Sequence, residues 1–444
     1  MHYSQKVTKK LVPTGLRFLS GPKRKYPINP DLSKDLPVFQ YVQSKNKYKR
    51  LFSWGNAKTG ALGLKGIIDK QAEYLRSPKR VSFAEKFEVR TVAIGFGFTT
   101  FAINSDTDVK LYGTGVNTDS QIGYHAIRAG HPMEIIYYPQ PISLPFKNPT
   151  TSKIIKLSAG RAHLMVLTSD EGVFLLGNNA YGQCGRKIIS DENYLKSNLV
   201  HHIEDIEGKR IIDIQCGQDH SMLLAEDGSV YSSGWGADGQ TGLGHFRNTE
   251  EFSRVRGDIS DEKIVQLACR SDFILALNDK GETFGWGNNE YGQLSLPNEE
   301  QQLANPTSMD VINKLGKIKS VASGGSFCLA ANEYGEVYTW GYGLLGLGPN
   351  VELSKKPILI PCTLFGKNDF QPNNTVVKVV CGLNYAAAVT NLGDLFTWGR
   401  NKWGCLGLGN EKDQYFPLKV SLGGSVEDVF CGIDHTVALC KPFI

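Results

Sequence analysis

No two of the nine cysteines are spaced C-x-x-C, and their number is odd. The first absence argues against a zinc site and the second against a disulfide scaffold. No apolar run approaches the roughly 20 residues a membrane-spanning helix needs. Lysine-bearing phosphate loops are missing, and Ser, His and Asp fall at no spacing that suggests a triad. A catalytic constellation and a metal centre are therefore both expected to be absent, as is any bound cofactor. Nothing of useful length shows a helical period.

Acid is missing from the start of the chain. Between Met1 and Pro30 there is no Asp or Glu, while Lys6, Lys9, Lys10, Arg17, Lys23, Arg24 and Lys25 are basic and Leu11, Leu16, Phe18 and Leu19 are interspersed. That is the make-up of a mitochondrial transit peptide, with Arg17-Phe18-Leu19-Ser20 resembling a processing site. The alternative is a solvated basic tail that binds RNA or an acidic surface. Residues 1–45 are read as leader and linker, and residues 46–444 as one large domain. The formal charge of +5 falls to −2 without the seven basic residues through Lys25, and to +1 after a cut behind Leu19. A near-neutral domain lacks the broad basic footprint of non-specific nucleic-acid binding.

What is abundant is glycine, 48 of 444 residues. The glycines fall in register. CGQDHSMLLAEDGSVYSSGWGADGQTGLG, Cys216 to Gly244, is one copy of a unit that recurs seven times, opening at Gly95, Gly160, Gly217, Arg270, Gly324, Gly382 and Gly432. Gly177, Gly182 and Gly185 match Gly234, Gly239 and Gly242. Gly55, Gly60 and Gly63 match as well, and so do Gly399, Gly404 and Gly407, with Gly341, Gly346 and Gly348 a near match. Within a copy, Ile211 to Ile214, His220 to Ala225 and Val230 to Ser233 are short apolar runs bounded by Gly and acid-Gly turns, the pattern of hairpin strands. About four strands per copy, seven times over, predict an all-β, seven-bladed β-propeller. The last copy ends near Cys440 without its Trp-Gly half, which sits instead at Leu51 to Gly63. N- and C-terminal strands are thus expected to share the closing blade.

The repeated openings GRAH, GQDH and GIDH, with segments such as WGNNEYGQL and WGRNKWGCLGLG, resemble the regulator of chromosome condensation repeat family over roughly residues 50 to 440. Members of that family are seven-bladed propellers. The basic leader, the long segments between blades and phrases such as GWGADGQTGLGH and DQYFP are most similar to its mitochondrial branch, once named for the Williams-Beuren region.

The repeat also tests candidate residues. His163, His220 and His435 share a position that holds Phe98, Phe273, Phe327 or Tyr385 elsewhere. A ligand or general base is not replaceable by Phe, so these histidines are read as core groups bonding locally. Trp54, Trp286, Trp340 and Trp398 are read as packing between blades, with Tyr112 and Leu176 standing in. Cys216, Cys381 and Cys431 are read as small core fillers.

Three aspartates, Asp219, Asp272 and Asp434, precede the His or Phe position on one face of the disc. In nucleotide-exchange members, an Asp in a matching Gly-x-Asp-His segment lies on the face that meets the GTPase, and Asp219 is the best match. The alternative is an Asp that bonds its own turn. Tyr137 and Tyr138, within the long segment from Tyr124 to Ser152, are either an exposed anchor for a base or a protein partner, or part of a loop packed on the blade edge. Segments from Arg186, Leu296 and Asn350 are similarly long.

The resemblance implies two roles. One is a non-enzymatic scaffold for mitochondrial large ribosomal subunit biogenesis, working with ribosomal RNA and RNA-modifying proteins such as pseudouridine synthases and supporting mitochondrial translation. The other is guanine nucleotide exchange on a dynamin-related GTPase of mitochondrial fusion. The scaffold demands less of any single residue and is placed slightly first. Either role puts the protein in the matrix or on the matrix face of the inner membrane, peripherally attached.

Overall fold

The computed structural model describes residues 49–65, 73–296 and 300–442. The expected leader, residues 1–45, lies outside them. Seven four-stranded antiparallel sheets hold every strand of the described residues except one small hairpin, Ala126–Arg128 with His131–Pro132. Blades 1 to 7 begin at Val89, Ile154, Ile211, Ile264, Ile318, Val376 and Gly424. Blade 3 is representative: Ile211–Cys216, His220–Ala225, Val230–Gly234 and Thr249–Arg254 pair in sequence order.

The seventh sheet has the expected mixed origin. Its order is Tyr74–Arg80, Arg50–Asn56, His435–Pro442, Gly424–Cys431, so two strands come from each end of the chain.

The first strand of each blade lines a central cavity of ≈ 460 Å³. Second strands are buried at every position in blades 1 to 6, as in His163–Thr168, His220–Ala225 and Tyr385–Thr390, because both faces of each blade pack on neighbours. They therefore read as continuous apolar runs with few alternations.

Glycine is required where blades touch. A Cβ on Gly182 would lie 2.6 Å from the Glu250 Cα of the next blade, and one on Gly404 would lie 2.7 Å from that of Arg76. In blade 1 the same loop place is held by Ser120 at φ 52°, a conformation that costs a non-glycine residue strain.

Tryptophans stitch the blades, as expected. Trp54, Trp286 and Trp340 are buried and donate to the carbonyls of Cys405, Gln240 and Gln293 in the preceding blade at 2.7, 3.0 and 2.7 Å. The exact stand-ins differ from the expectation. Register places Thr114, not Tyr112, opposite Thr99 at the tryptophan position, and Ser233 fills it in blade 3. The blade 5 loop is also shorter than its glycines suggest: Gly346 sits against Trp398 Nε1, where Gly242 meets Trp286 and Gly407 meets Trp54. Gly346 is thus the third glycine of the set. In this shortened loop no carbonyl reaches Trp398 Nε1, which is buried without a hydrogen-bond partner.

Long segments between copies prove to contain the fourth strands. Ile135–Ile142, His201–Ile203, Gln302–Ser308 and Leu353–Ile360 lie inside the four stretches expected to be loops. Five of the seven rim strands carry proline at one register: Pro78, Pro139, Pro306, Pro357 and Pro417 all stand where pairing with the third strand slips. A bulge with proline on an edge strand blocks pairing with a foreign strand, and it also erases the alternating pattern that reveals a strand.

Candidate functional site

Antiparallel pairing puts the turn between strands one and two, and the loop between strands three and four, at the same end of every blade. That end is one face of the disc. It collects Asp219, Asp272 and Asp434 from the turns and Asp119 and Asp238 from the loops.

Asp219 does not bond its own turn. Arg161 of the neighbouring blade holds it with two bonds, Nε to Oδ1 at 3.1 Å and Nη2 to Oδ2. Burial raises the Asp219 pKa, Arg161 pulls it the other way, and Asp119 adds to the rise. Between blades 1 and 3 these residues open onto a hollow of ≈ 350 Å³ lined by Phe96, Asp119, Arg161, Asn178, Tyr181 and Asp219, among others.

Asp272 and Asp434 sit at the same repeat position with opposite chemistry. Burial pushes the Asp272 carboxyl up to about 6, with the charges of Asp238 and Asp219 pushing the same way, and its bond from Ser271 is long at 3.4 Å. Asp434 is also buried, but bonds to His435 Nδ1 at 2.8 Å and from Asn56 at 2.7 Å hold its pKa below the usual value. Asp434 is thus tied into blade 7 and Asp219 to Arg161 of blade 2, while Asp272 has only the long contact from Ser271.

The tyrosine pair belongs elsewhere. Tyr137 and Tyr138 lie on the fourth strand of blade 1, at the rim, with side chains on opposite sides because strand residues alternate. Tyr137 is 42% exposed, while Tyr138 packs toward Phe83 at 6.5 Å. They cannot stack one ligand together.

Sequence reasoning passed over a different aromatic set. Tyr181 meets Trp235 at 4.7 Å, Tyr291 stacks on Tyr342 at 4.9 Å, and Trp403 lies under Lys58 at 5.5 Å and Lys402 at 5.1 Å. All lie in or beside the third-to-fourth-strand loops of the aspartate face. The signal was available: Tyr181, Tyr291 and Trp403 immediately precede the second glycine of the set. Aromatics interleaved with acids and bases on a rigid face are the composition of a protein-docking surface.

The histidines behave as core groups, with one exception. His163 Nε2 meets Ser221 Oγ at 3.0 Å and His435 Nε2 meets Thr99 Oγ1 at 2.8 Å, each across a blade junction. His220 is fully buried with neither ring nitrogen bonded. Burial lowers the pKa of both His163 and His220 to about 3. Cys216, Cys381 and Cys431 are buried, and burial raises their thiol pKa values, which makes them poor nucleophiles.

The regulator of chromosome condensation (RCC1) repeat model matches residues 50–102, 170–224, 280–331, 334–389 and 393–439, more than half of the chain. The chain belongs to the RCC1 repeat family. Curated relatives named RCC1-like G exchanging factor-like protein are 43% identical in Mus musculus, over 92% of this chain and 91% of the relative, and 41% identical in Homo sapiens, over the same shares. The crystal structure of human WBSCR16 superposes with a TM-score of 0.84 at 41% identity, covering 90% of this chain and all of that one. Prp20p from Saccharomyces cerevisiae, at 18% identity and TM-score 0.74, shares the fold. The protein is therefore a regulatory RCC1-type propeller with close relatives in two mammals.

Proposed function

We propose that the aspartate face docks a GTPase and that docking promotes nucleotide release. The supporting observation is the Arg161–Asp219 pair beside the Asp119 hollow, flanked by the Tyr181–Trp235 contact. The names of the relatives point the same way. No bond chemistry is asked of the face. By linkage, weakening GDP tenfold requires about 1.4 kcal/mol of contact made only with the nucleotide-free partner, and GDP must weaken the propeller equally. The finer form of this reading is a dynamin-related GTPase of mitochondrial fusion, met in the matrix or on the inner membrane.

A second reading keeps the same face and changes its occupant: a scaffold for RNA-modifying and ribosome-assembly proteins of the mitochondrial large subunit. The near-neutral domain favours protein partners over direct RNA contact in that role. A crosslinked pull-down from mitochondria, analysed for both RNA and protein, separates the two. A GTPase retained after nucleotide stripping, released by GDP or GTP and lost with Asp219→Ala, supports exchange. Ribosomal RNA and modification proteins with no GTPase overturn exchange and support the scaffold.

A further inference from the structure

Arg270 occupies the opening position that is glycine in the other six copies. Space is the reason for glycine there. A Cβ on Gly95, Gly160, Gly217, Gly324 or Gly382 would overlap the ring three residues later, that of Phe98, His163, His220, Phe327 or Tyr385. Blade 4 breaks this local rule, and a rule broken inside a repeat marks a place where another demand wins.

The Arg270 side chain crosses the channel. Its Nη1 donates to the carbonyl of Ile94 at 3.2 Å and its Nη2 to the carbonyl of Cys431. Those carbonyls end the inner strands of blades 1 and 7. In a ring of seven, these are the two blades farthest from blade 4, and they flank the junction beside the closing blade.

Around this mouth the turns are hooped to one another. Arg161 N–H donates to Gln218 O at 2.8 Å, the Gln218 amide to Ser271 Oγ at 3.0 Å, Arg270 N–H to Ser323 Oγ at 3.0 Å, Gly325 N–H to Leu383 O at 2.7 Å, and Leu383 N–H to Gly432 O at 3.1 Å. The hoop thus runs unbroken from blade 2 to blade 7. Among the described residues no turn-to-turn bond joins blade 1 to blade 7 or to blade 2, so blade 1 is left out of it. Thr59 and the His435–Thr99 pair join those blades further from the axis.

We propose that Arg270 is a cross-channel strap that ties in the blade this hoop leaves out, holding blades 7 and 1 together at the mouth. Its planar fork holds two carbonyls at once, and a lysine ammonium is not shaped to do so. Bonds from a charged donor are roughly twice as strong as neutral ones. The strap also bars the channel on the aspartate face, so a partner docks across that face instead of threading it.

Amide hydrogen exchange tests the strap, because it reads local opening strand by strand. Arg270→Gly restores the repeat's own residue. It is expected to stay folded while exchange in Leu51–Asn56, Thr436–Cys440 and Val92–Ile94 accelerates about tenfold or more relative to blades 2 and 3. Arg270→Lys is expected to fall between. Seam exchange that is unchanged, or that rises equally in all blades, overturns the proposal. If Arg270→Gly does not fold, Arg270→Met keeps the stem, removes the fork and carries the same comparison, and unchanged seam exchange in it is equally fatal.

Discussion

Two junctions of the ring use the same positions and reach opposite results. Where blade 7 meets blade 1, His435 is bonded at both nitrogens, to Asp434 and Thr99. Where blade 3 meets blade 4, His220 is bonded at neither, and Asp272 has only a long contact to Ser271. The residue after the next blade's His or Phe position explains the difference. It is Ser221 for His163, Thr436 for Tyr385 and Thr99 for His435, all hydrogen-bonded, whereas Phe98, Phe273 and Phe327 are followed around the ring by Leu164, Cys328 and Ala386. For His220 it is Ile274. The position is thus a two-residue rule spanning a junction, polar with polar and apolar with apolar, and the 3/4 junction violates it.

The largest effect comes from removing one side of the closing junction. Deletion of Leu51 to Gly63 takes out the strand between Tyr74–Arg80 and His435–Pro442, together with the Trp54 bond to Cys405. Cooperative unfolding should vanish in a thermal melt followed by circular dichroism. An unchanged transition would refute closure by that strand. Next in size is His435→Phe, which strips Thr99 Oγ1 of its partner in a fully buried site and frees one bond of Asp434. Leaving buried groups unpaired costs about 2–3 kcal/mol, measurable as a lower urea midpoint. A loss no larger than that of His220→Phe would end the contrast between the junctions.

Much of this was legible in advance, and the limits have physical causes. The copy number, the split seventh blade and the core role of the histidines follow from register, because glycine spacing records close backbone contacts where a Cβ is rarely tolerated. The fourth strands did not show, since Pro139, Pro306 and Pro357 with their bulges break the alternation that marks a strand. Tyr137 and Tyr138 therefore read as residues of a long segment between blades. Of the three turn aspartates, sequence gave their common face but not their partners: Arg161 sits 58 residues before Asp219, and nothing local links them. Arg270 was visible as the odd opening residue, but what it reaches depends on ring closure.

A smaller effect distinguishes the two junctions by pH. The Asp272 pKa is raised in the folded state to about 6, so the folded protein binds more protons than the unfolded chain between about pH 4 and 6, and stability falls as pH rises through that window. Asp272→Asn should be nearly neutral below pH 4 and stabilising by about 1–2 kcal/mol above pH 6. Asp434 has a lowered pKa, so its contribution is present above the ordinary carboxyl range and is lost on acidification through its folded value. Asp434→Asn should destabilise at neutral pH. Urea midpoints against pH that move in the same direction for both variants would contradict the assignment.

The smallest change at neutral pH is expected from His220→Phe. A buried imidazole with two unbonded nitrogens already bears the cost of lost hydration, and Phe fills the same place in Phe98, Phe273 and Phe327 without it. The midpoint should stay within about 1 kcal/mol of the native protein or rise slightly. Acid separates this outcome from simple tolerance. With a folded pKa of about 3, His220 is neutral in the fold and charged in the unfolded chain between that value and 6.5, so acidification through this window costs stability. Removing the imidazole should flatten that loss, whereas His163→Phe flattens it equally but leaves Ser221 without its histidine. Equal acid sensitivity in His220→Phe and native protein would mean that His220 finds a proton-sharing partner, and the 3/4 junction would then obey the same rule as the rest of the ring.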